Sequence, residues 1–308
     1  MAPCVAGYTR LLRCSGCREL SWDDVSKQVL QRVRIEVREV RWFSTYKVHH
    51  RVAAQFRRGR VFLLGDAAHI HSPVGGQGMN TGIGDAVNLA WKLAGVVRDR
   101  APERILDSYE PERIGFARRL TATTDRLFQL VTNPSRTAAL LRVDVVPPVL
   151  ALLFRLQAWR RYMFRVVSQT AIEYRNGPLS EGQAVRVHGG DRLPWVEGSG
   201  GDNFTPLESL DWQVHVHGQA RRPLAEACAS RSLALHQFEW TEAAARAGLA
   251  RGASYLVRPD GYVALADPLQ RPSRLRRYLD GRGVRFQSAA HHVRPIEDSL
   301  NASGSRHR

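Results

Sequence analysis

Along the first third of the chain the apolar residues change their spacing twice. Val29, Val33, Ile35, Val37 and Val40 fall near every second position, with Arg and Glu between them, and Trp42, Phe43 and Tyr46 follow. That alternation predicts half-buried antiparallel strands over about 28–54. Arg58-Gly59-Arg60 reads as a turn, and Val61-Phe62-Leu63-Leu64 as a short, fully buried strand that stops at Gly65-Asp66. Ala86, Leu89, Ala90, Leu93 and Val97 then recur at helical spacing and predict one apolar helix face. The unit is strand, glycine-rich loop, helix.

A second helix is predicted over about 103–120, bent or split at Pro111. Further helices are expected over 138–167, broken at Pro147-Pro148, with Arg155, Arg160, Arg161 and Arg165 facing outward and the apolar side packed on the body. Turn residues dominate from Asn176-Gly177-Pro178 to Pro206. Strand patterns follow at 212–216, 233–236, 255–258 and 262–265, the last two joined as a hairpin through Arg258-Pro259-Asp260-Gly261.

Composition adds little that is specific. The chain has 308 residues, 44% apolar and 24% charged, the balance of a folded protein. Its net charge of +16 comes from 45 basic residues, of which only Lys27, Lys47 and Lys92 are lysines. Such an arginine skew matches a GC-rich coding bias, and without a recognition motif no nucleic-acid partner is expected. Cys14-Ser-Gly-Cys17 is a lone CxxC with no second pair or histidine cluster, so no metal site is expected. With no apolar leader in the first residues and no apolar run of ~18, the expectation is a reduced, cytoplasmic protein without stable membrane insertion.

The chemistry concentrates between Gly65 and Asn80. Asp66 stands at the end of a strand, where open α/β sheets place polar ligands, and could accept hydrogen bonds from ligand hydroxyls. Gly75, Gly76 and Gly78 leave the backbone bare just before a helix start, whose N–H groups and dipole favour an anion or an electron-rich carbonyl. A purely structural role, with tight packing and Asp66 capping a turn, remains open on these grounds.

The run 59–69 followed by Pro73-Val74-Gly75-Gly76-Gln77-Gly78-Met79-Asn80-Thr81-Gly82-Ile83-Gly84-Asp85-Ala86-Val87-Asn88-Leu89-Ala90-Trp91-Lys92-Leu93 closely resembles the second FAD motif of the phenol and para-hydroxybenzoate hydroxylase family. Ser108-Tyr109-Glu110-Pro111-Glu112-Arg113 and Arg51-Val52-Ala53 resemble it too. The stretch from Tyr255 to Val263 is similar to the thioredoxin-like C-terminal domain of the phenol-hydroxylase branch, although it lacks a CxxC.

The resemblance implies an α/β fold: an incomplete FAD-binding domain with a remnant of the substrate-domain sheet, then helices and a thioredoxin-like domain that serves packing or oligomerisation. The expected boundaries are 1–57 for an N-terminal extension and the end of the substrate-domain sheet, 58–175 for the second half of the FAD-binding domain with helices, 176–294 for the thioredoxin-like domain, and 295–308 for a tail. It implies a cofactor site of Gly65, Asp66, Pro73, Gly75, Gly76, Gln77, Gly78, Met79 and Asn80, with Asp66 on the ribityl hydroxyls and Pro73 beside the reacting face of the ring as the catalytic position. The backbone of 76–80 would meet the pyrimidine end. The implied reaction reduces FAD with NAD(P)H and uses O₂, through a flavin hydroperoxide, to hydroxylate a phenolic or other aromatic ring, polyketides included. His69 and His71 are expected to be satisfied by the loop backbone, and Asp85 and Asn88 to cap or pack the helix.

The family's G-x-G-x-x-G turn is not found: the triplets at 76–78 and 82–84 are followed by Thr81 and Val87 at the third glycine position. The chain is therefore expected to begin near the end of the substrate domain, to leave a sheet edge and apolar surface uncovered, and to bind FAD weakly by itself. A complementing N-terminal polypeptide or a homo-oligomer would be the partner. The alternative is a non-catalytic remnant acting as a binding or interaction protein, or one half of a split flavoenzyme.

Overall fold

The computed structural model describes residues 21–24, 36–44, 49–71, 76–133, 135–198 and 201–286. Residues 36–44 carry no strand, and Trp42 is 81% exposed. Among the described residues of 28–54 the one strand is β1, Arg51–Val52, which pairs antiparallel with β4, His69–Ile70. Alternation alone does not make a strand where no second strand supplies hydrogen-bond partners. Val29, Val33, Ile35 and Tyr46, the Cys14-Cys17 pair and the C-terminal tail lie outside the described residues.

The strand expected at 61–64 is shorter and more exposed than its composition implies. Its regular part is β3, Val61–Phe62, in a hairpin with β2, Arg57–Arg58. Val61 is 65% exposed, because a two-stranded ribbon covers its residues on one side only. Uncovered apolar surface was expected here, and Val61, Leu64, Met79, Ile83 and Val87 are all exposed.

Helix α1, Gly78–Val97, follows the loop. Its buried residues are Thr81, Asp85, Asn88, Leu89 and Lys92, not the apolar set expected from spacing. Of that set only Leu89 is fully buried; Ala90 and Val97 are exposed. The helix turns a polar stripe inward because charged partners meet it there.

A 3-10 segment, Glu103–Ser108, leads into α2, Tyr109–Thr132. Pro111 neither bends nor splits this helix. It lies in the first turn, where its missing N–H has no intrahelical acceptor to lose. After α3, Arg136–Leu140, and a π-helical turn over Leu141–Val145, Pro147 and Pro148 begin α4, Val146–Leu153, and the sharp break falls instead before α5, Gln157–Val167.

No residue of α4 or α5 is fully buried, and Leu152 and Phe164 are 62% and 69% exposed, so the expected packing of their apolar side on the body is not found among the described residues. These helices are too short and too often interrupted to present one continuous stripe to the core. Among the described residues no single helix is long and apolar enough to cross a membrane; the pair Thr137–Leu153 and Gln157–Val167, bent by 107°, reaches the length and composition only together.

Six strands form the main sheet, in the order β10-β9-β11-β12-β5-β6. They are β5 (Glu181–Ala184), β6 (Val187–His188), β9 (Gln213–His217), β10 (Ala234–Phe238), β11 (Ser254–Val257) and β12 (Val263–Asp267). Short β7 (Glu197–Gly198) and β8 (Gly201–Asp202) pair apart. Helices α6 (Arg222–Ala229), α7 (Glu242–Ala247) and α8 (Pro272–Arg282) accompany the sheet. The expected hairpin is present: Gly261 takes φ +77° and its N–H donates to the Arg258 carbonyl. One apolar cluster includes Phe56, Leu89 and Tyr109 from the N-terminal elements and Trp212, Leu256 and Tyr278 from the sheet and α8. Trp91 and Trp212 meet edge to face at 5.4 Å.

Candidate functional site

Asp66 occupies a single 3-10 turn, Gly65–Ala67, at the end of the β3 segment. Its side chain is exposed and makes no hydrogen bond or ion pair among the described residues. Gly65 has φ +56°, and a Cβ built on Gly82 would stand 3.3 Å from the Gly65 Cα. Two glycines thus let the turn sit directly on the second turn of α1.

The start of α1 is open. Gln77 stands at the cap without a side-chain cap bond, and the first intrahelical bond runs from the Thr81 N–H to the Gln77 carbonyl at 3.0 Å. The N–H groups of Gly78, Met79 and Asn80 therefore have no intrahelical acceptor. Gly76 takes φ +63° with nothing near the position of a Cβ, so a glycine is needed there for conformation and not for space. Of the expected cofactor residues, Gly65 packs against the second turn of this helix, Asp66 follows it on the exposed side of the turn, and Gly76, Gln77, Gly78, Met79 and Asn80 form the helix start. Pro73 and Gly75 lie outside the described residues.

Asp85 holds the turn in place. Its Oδ2 accepts the Gly65 N–H at 3.0 Å and lies 2.7 Å from His69 Nε2, while Oδ1 accepts from Arg113 Nε at 2.6 Å. Burial alone would raise this carboxyl; the His69 and Arg113 contacts and the Gly65 N–H outweigh it and hold the carboxyl below its ordinary range. His69 is therefore satisfied by a helix side chain and not by the loop backbone. Arg113 also donates to the Thr81 carbonyl at 3.1 Å and to the Tyr174 hydroxyl at 2.9 Å. Gln169 adds a second brace, donating to Thr81 Oγ1 at 2.9 Å and to the Gln77 carbonyl at 3.2 Å.

A second buried group lies deeper. Glu112 of α2 accepts two bonds from Arg258, at 2.6 and 3.0 Å, and one each from Lys92 and Asn88, both at 2.8 Å. Arg258 also reaches Asp260, which accepts the Trp91 indole N–H at 3.0 Å. Burial would raise the Glu112 carboxyl, but Arg258 and Lys92 bring it down to about 2. The four charges of Lys92, Glu112, Arg258 and Asp260 balance, so burying them leaves no net charge. Asn88 packs the helix, as expected, within this group. The sequence signal for both networks was Thr81, Asp85, Asn88 and Lys92, polar residues at the spacing of a buried helix face.

Residues 14–124 match the model of an FAD-binding domain. The 6-methylpretetramide 4-monooxygenase of Streptomyces rimosus is 40% identical over 170 residues, covering 53% of this chain and 30% of that protein. A flavin-dependent monooxygenase of Mycobacteroides abscessus is 32% identical over 253 residues, covering 80% of this chain and 46% of that protein. The crystal structure of an aromatic hydroxylase from angucycline biosynthesis superposes with a TM-score of 0.65 at 30% identity, covering 82% of this chain and 52% of that one. The chain thus spans about half the length, or less, of the relatives it matches. Within that span, a match to an FAD-binding domain and similarity to aromatic hydroxylases fall on the segment that holds the exposed aspartate turn and the open helix start.

Proposed function

We propose that these residues form the riboflavin-facing part of an FAD site in a monooxygenase that hydroxylates a phenolic or fused aromatic ring, polyketides among them. The observation that carries this reading is Asp66: an exposed carboxylate with no protein partner among the described residues, set on a turn that packs against the uncapped start of a 20-residue helix. A carboxylate left free beside free N–H groups fits a ligand that offers hydroxyls to one and carbonyls or negative charge to the other.

In this reading Asp66 accepts from the ribityl hydroxyls and the N–H groups at 78–80 face the pyrimidine end, where helix-end donors stabilise negative charge on the ring. Pro73, outside the described residues, would be the residue beside the reacting face, as the family resemblance implies. When bound, FAD supplies the redox chemistry, with NAD(P)H as reductant and O₂ as oxidant. Reduction by NAD(P)H suits a cytoplasmic protein. The main sheet, read as thioredoxin-like, serves as a structural support and a surface for self-association. The names of two relatives, a 6-methylpretetramide 4-monooxygenase and an aromatic hydroxylase from angucycline biosynthesis, support a fused-ring substrate.

Titration of FAD, FMN and ADP into the purified chain tests the reading. FAD and FMN should bind with similar affinity and ADP should not compete. Asp66→Ala should weaken FAD at least about tenfold, the value of a charge-assisted hydrogen bond, without changing the melting temperature. Equal FAD affinity in wild type and Asp66→Ala would overturn it.

A further inference from the structure

We propose that the cavity between α2 and α5 is the site for the aromatic substrate, and that it takes a planar fused ring system carrying an anionic oxygen at one end. This assignment rests on the monooxygenase reading above. The cavity has a volume of about 720 Å³, within the range of pockets that enclose drug-sized ligands. Phe116 and Leu120 of α2, Met163 and Val166 of α5, and Ile172 give it apolar walls. A flat apolar ligand gains most from walls of this kind.

The polar groups on the same walls are nearly all committed elsewhere. Glu112 is bound by Arg258 and Lys92, and the Tyr174 hydroxyl by Arg113. Thr123 and Thr124 return their hydroxyls to carbonyls of their own helix. Arg175 is paired with Asp191 and Glu173. Among the charged groups Arg119 is the exception: among the described residues its guanidinium has no hydrogen bond or ion pair, and the neutral amides of Gln77 and Asn176 are likewise uncommitted. One free cation at an apolar slot fits a single phenolate or carboxylate. Arg119 is exposed, so water serves it while the slot is empty, and a phosphate would call for more than one cation.

The cavity also adjoins the flavin loop. Gln77, at the start of α1, contributes to its wall, and Gln169 lines it while gripping the Gln77 carbonyl. A ligand in the slot would therefore lie against the same helix start that the flavin reading assigns to the cofactor.

Anthraquinone-2-carboxylate, with neutral 2-hydroxymethylanthraquinone as its control, provides a direct test by isothermal titration of the purified chain. The carboxylate should bind more tightly than the alcohol. Arg119→Gln should weaken the carboxylate about tenfold or more and leave the alcohol unchanged, as expected for a lost charge-assisted bond. Val166→Trp, which fills the slot, should abolish binding of both, while the melting temperature and FAD affinity of both variants stay at wild-type values. Equal binding of the carboxylate to wild type, Arg119→Gln and Val166→Trp, or no binding to wild type, would overturn the cavity assignment while leaving the flavin reading intact if FAD still binds through Asp66. Loss of the Asp66 effect on FAD, with anthraquinone binding retained and sensitive to Val166→Trp, would instead sink the flavin reading.

Discussion

The Gly65 N–H donates to the Asp85 carboxylate at 3.0 Å, tying the turn that carries Asp66 to the middle of α1. The same carboxylate meets His69 and Arg113. One buried side chain thus decides where the exposed Asp66 stands, although Asp85 is itself too buried to meet a ligand.

Asp85→Asn keeps the size of the side chain and removes its charge. Arg113 is then left buried without its counter-ion, a loss of roughly 3–5 kcal/mol by analogy with other broken buried pairs. Urea unfolding should register this loss, and FAD titration should show a weakening of about tenfold or more in the folded fraction. A variant as stable as wild type would remove Asp85 from this role.

The contact between Gly82 and Gly65 predicts a different pattern. Gly82→Val places a Cβ 3.3 Å from the Gly65 Cα and adds two methyls beyond it, so the turn must move. The stability cost should be about 1–3 kcal/mol, typical of overpacking, yet flavin affinity should fall disproportionately because Asp66 moves with the turn. Unchanged flavin affinity would mean that the turn position does not matter to the ligand.

Glu112 and Arg258 are 146 positions apart and fully buried against each other. Glu112→Gln and Arg258→Gln should each destabilise by several kcal/mol, and the double variant by clearly less than their sum. A coupling energy below about 0.5 kcal/mol in thermal or urea unfolding would show that the pair does not join the N-terminal helices to the sheet.

Acid should unfold the sheet before the carboxylate networks titrate. His217 is 1% exposed, and burial holds its imidazole down at about 4; His215, buried beside His236 and His217, is held at about 3. Both ordinary values are 6.5, so the folded state resists protonation that the unfolded chain accepts. Stability is therefore intact above about pH 6.5 and falls progressively as the pH drops toward 4. For His217 alone the full loss is on the order of 3 kcal/mol. His217→Phe should flatten the stability profile between pH 6.5 and 4 in urea unfolding; an unchanged slope would sink the assignment. Glu112, held at about 2 against an ordinary 4.5, adds a later loss only below pH 4.5.

The strands of the main sheet and the hairpin at 258–261 were legible because each is a local pattern bounded by turn residues. The two sheet strands between 181 and 188 were not, since Gly182 and Val185 interrupt the alternation and pairing with β12 and β6 makes Glu181–Ala184 a strand. Pro111 and Pro147 were legible as helix breakers but not as helix starters, because the position of a proline within a helix depends on where the preceding turn ends.

The order of residues from Gly65 to Lys92 by itself carried the family resemblance and marked Asp66 and the glycines after it as candidate ligand contacts, since a turn, three glycines and a helix start follow from local chain chemistry. Which face of α1 is buried was decided only by the tertiary structure. Spacing favoured Ala86, Ala90 and Val97, and hydrophobic burial usually wins that choice. Here Arg113, Glu112 and Arg258 converge on the other face, and once buried charges have partners within hydrogen-bond reach they no longer need water. The partner from the hairpin at Arg258 lies far along the sequence, and no local period can reveal it.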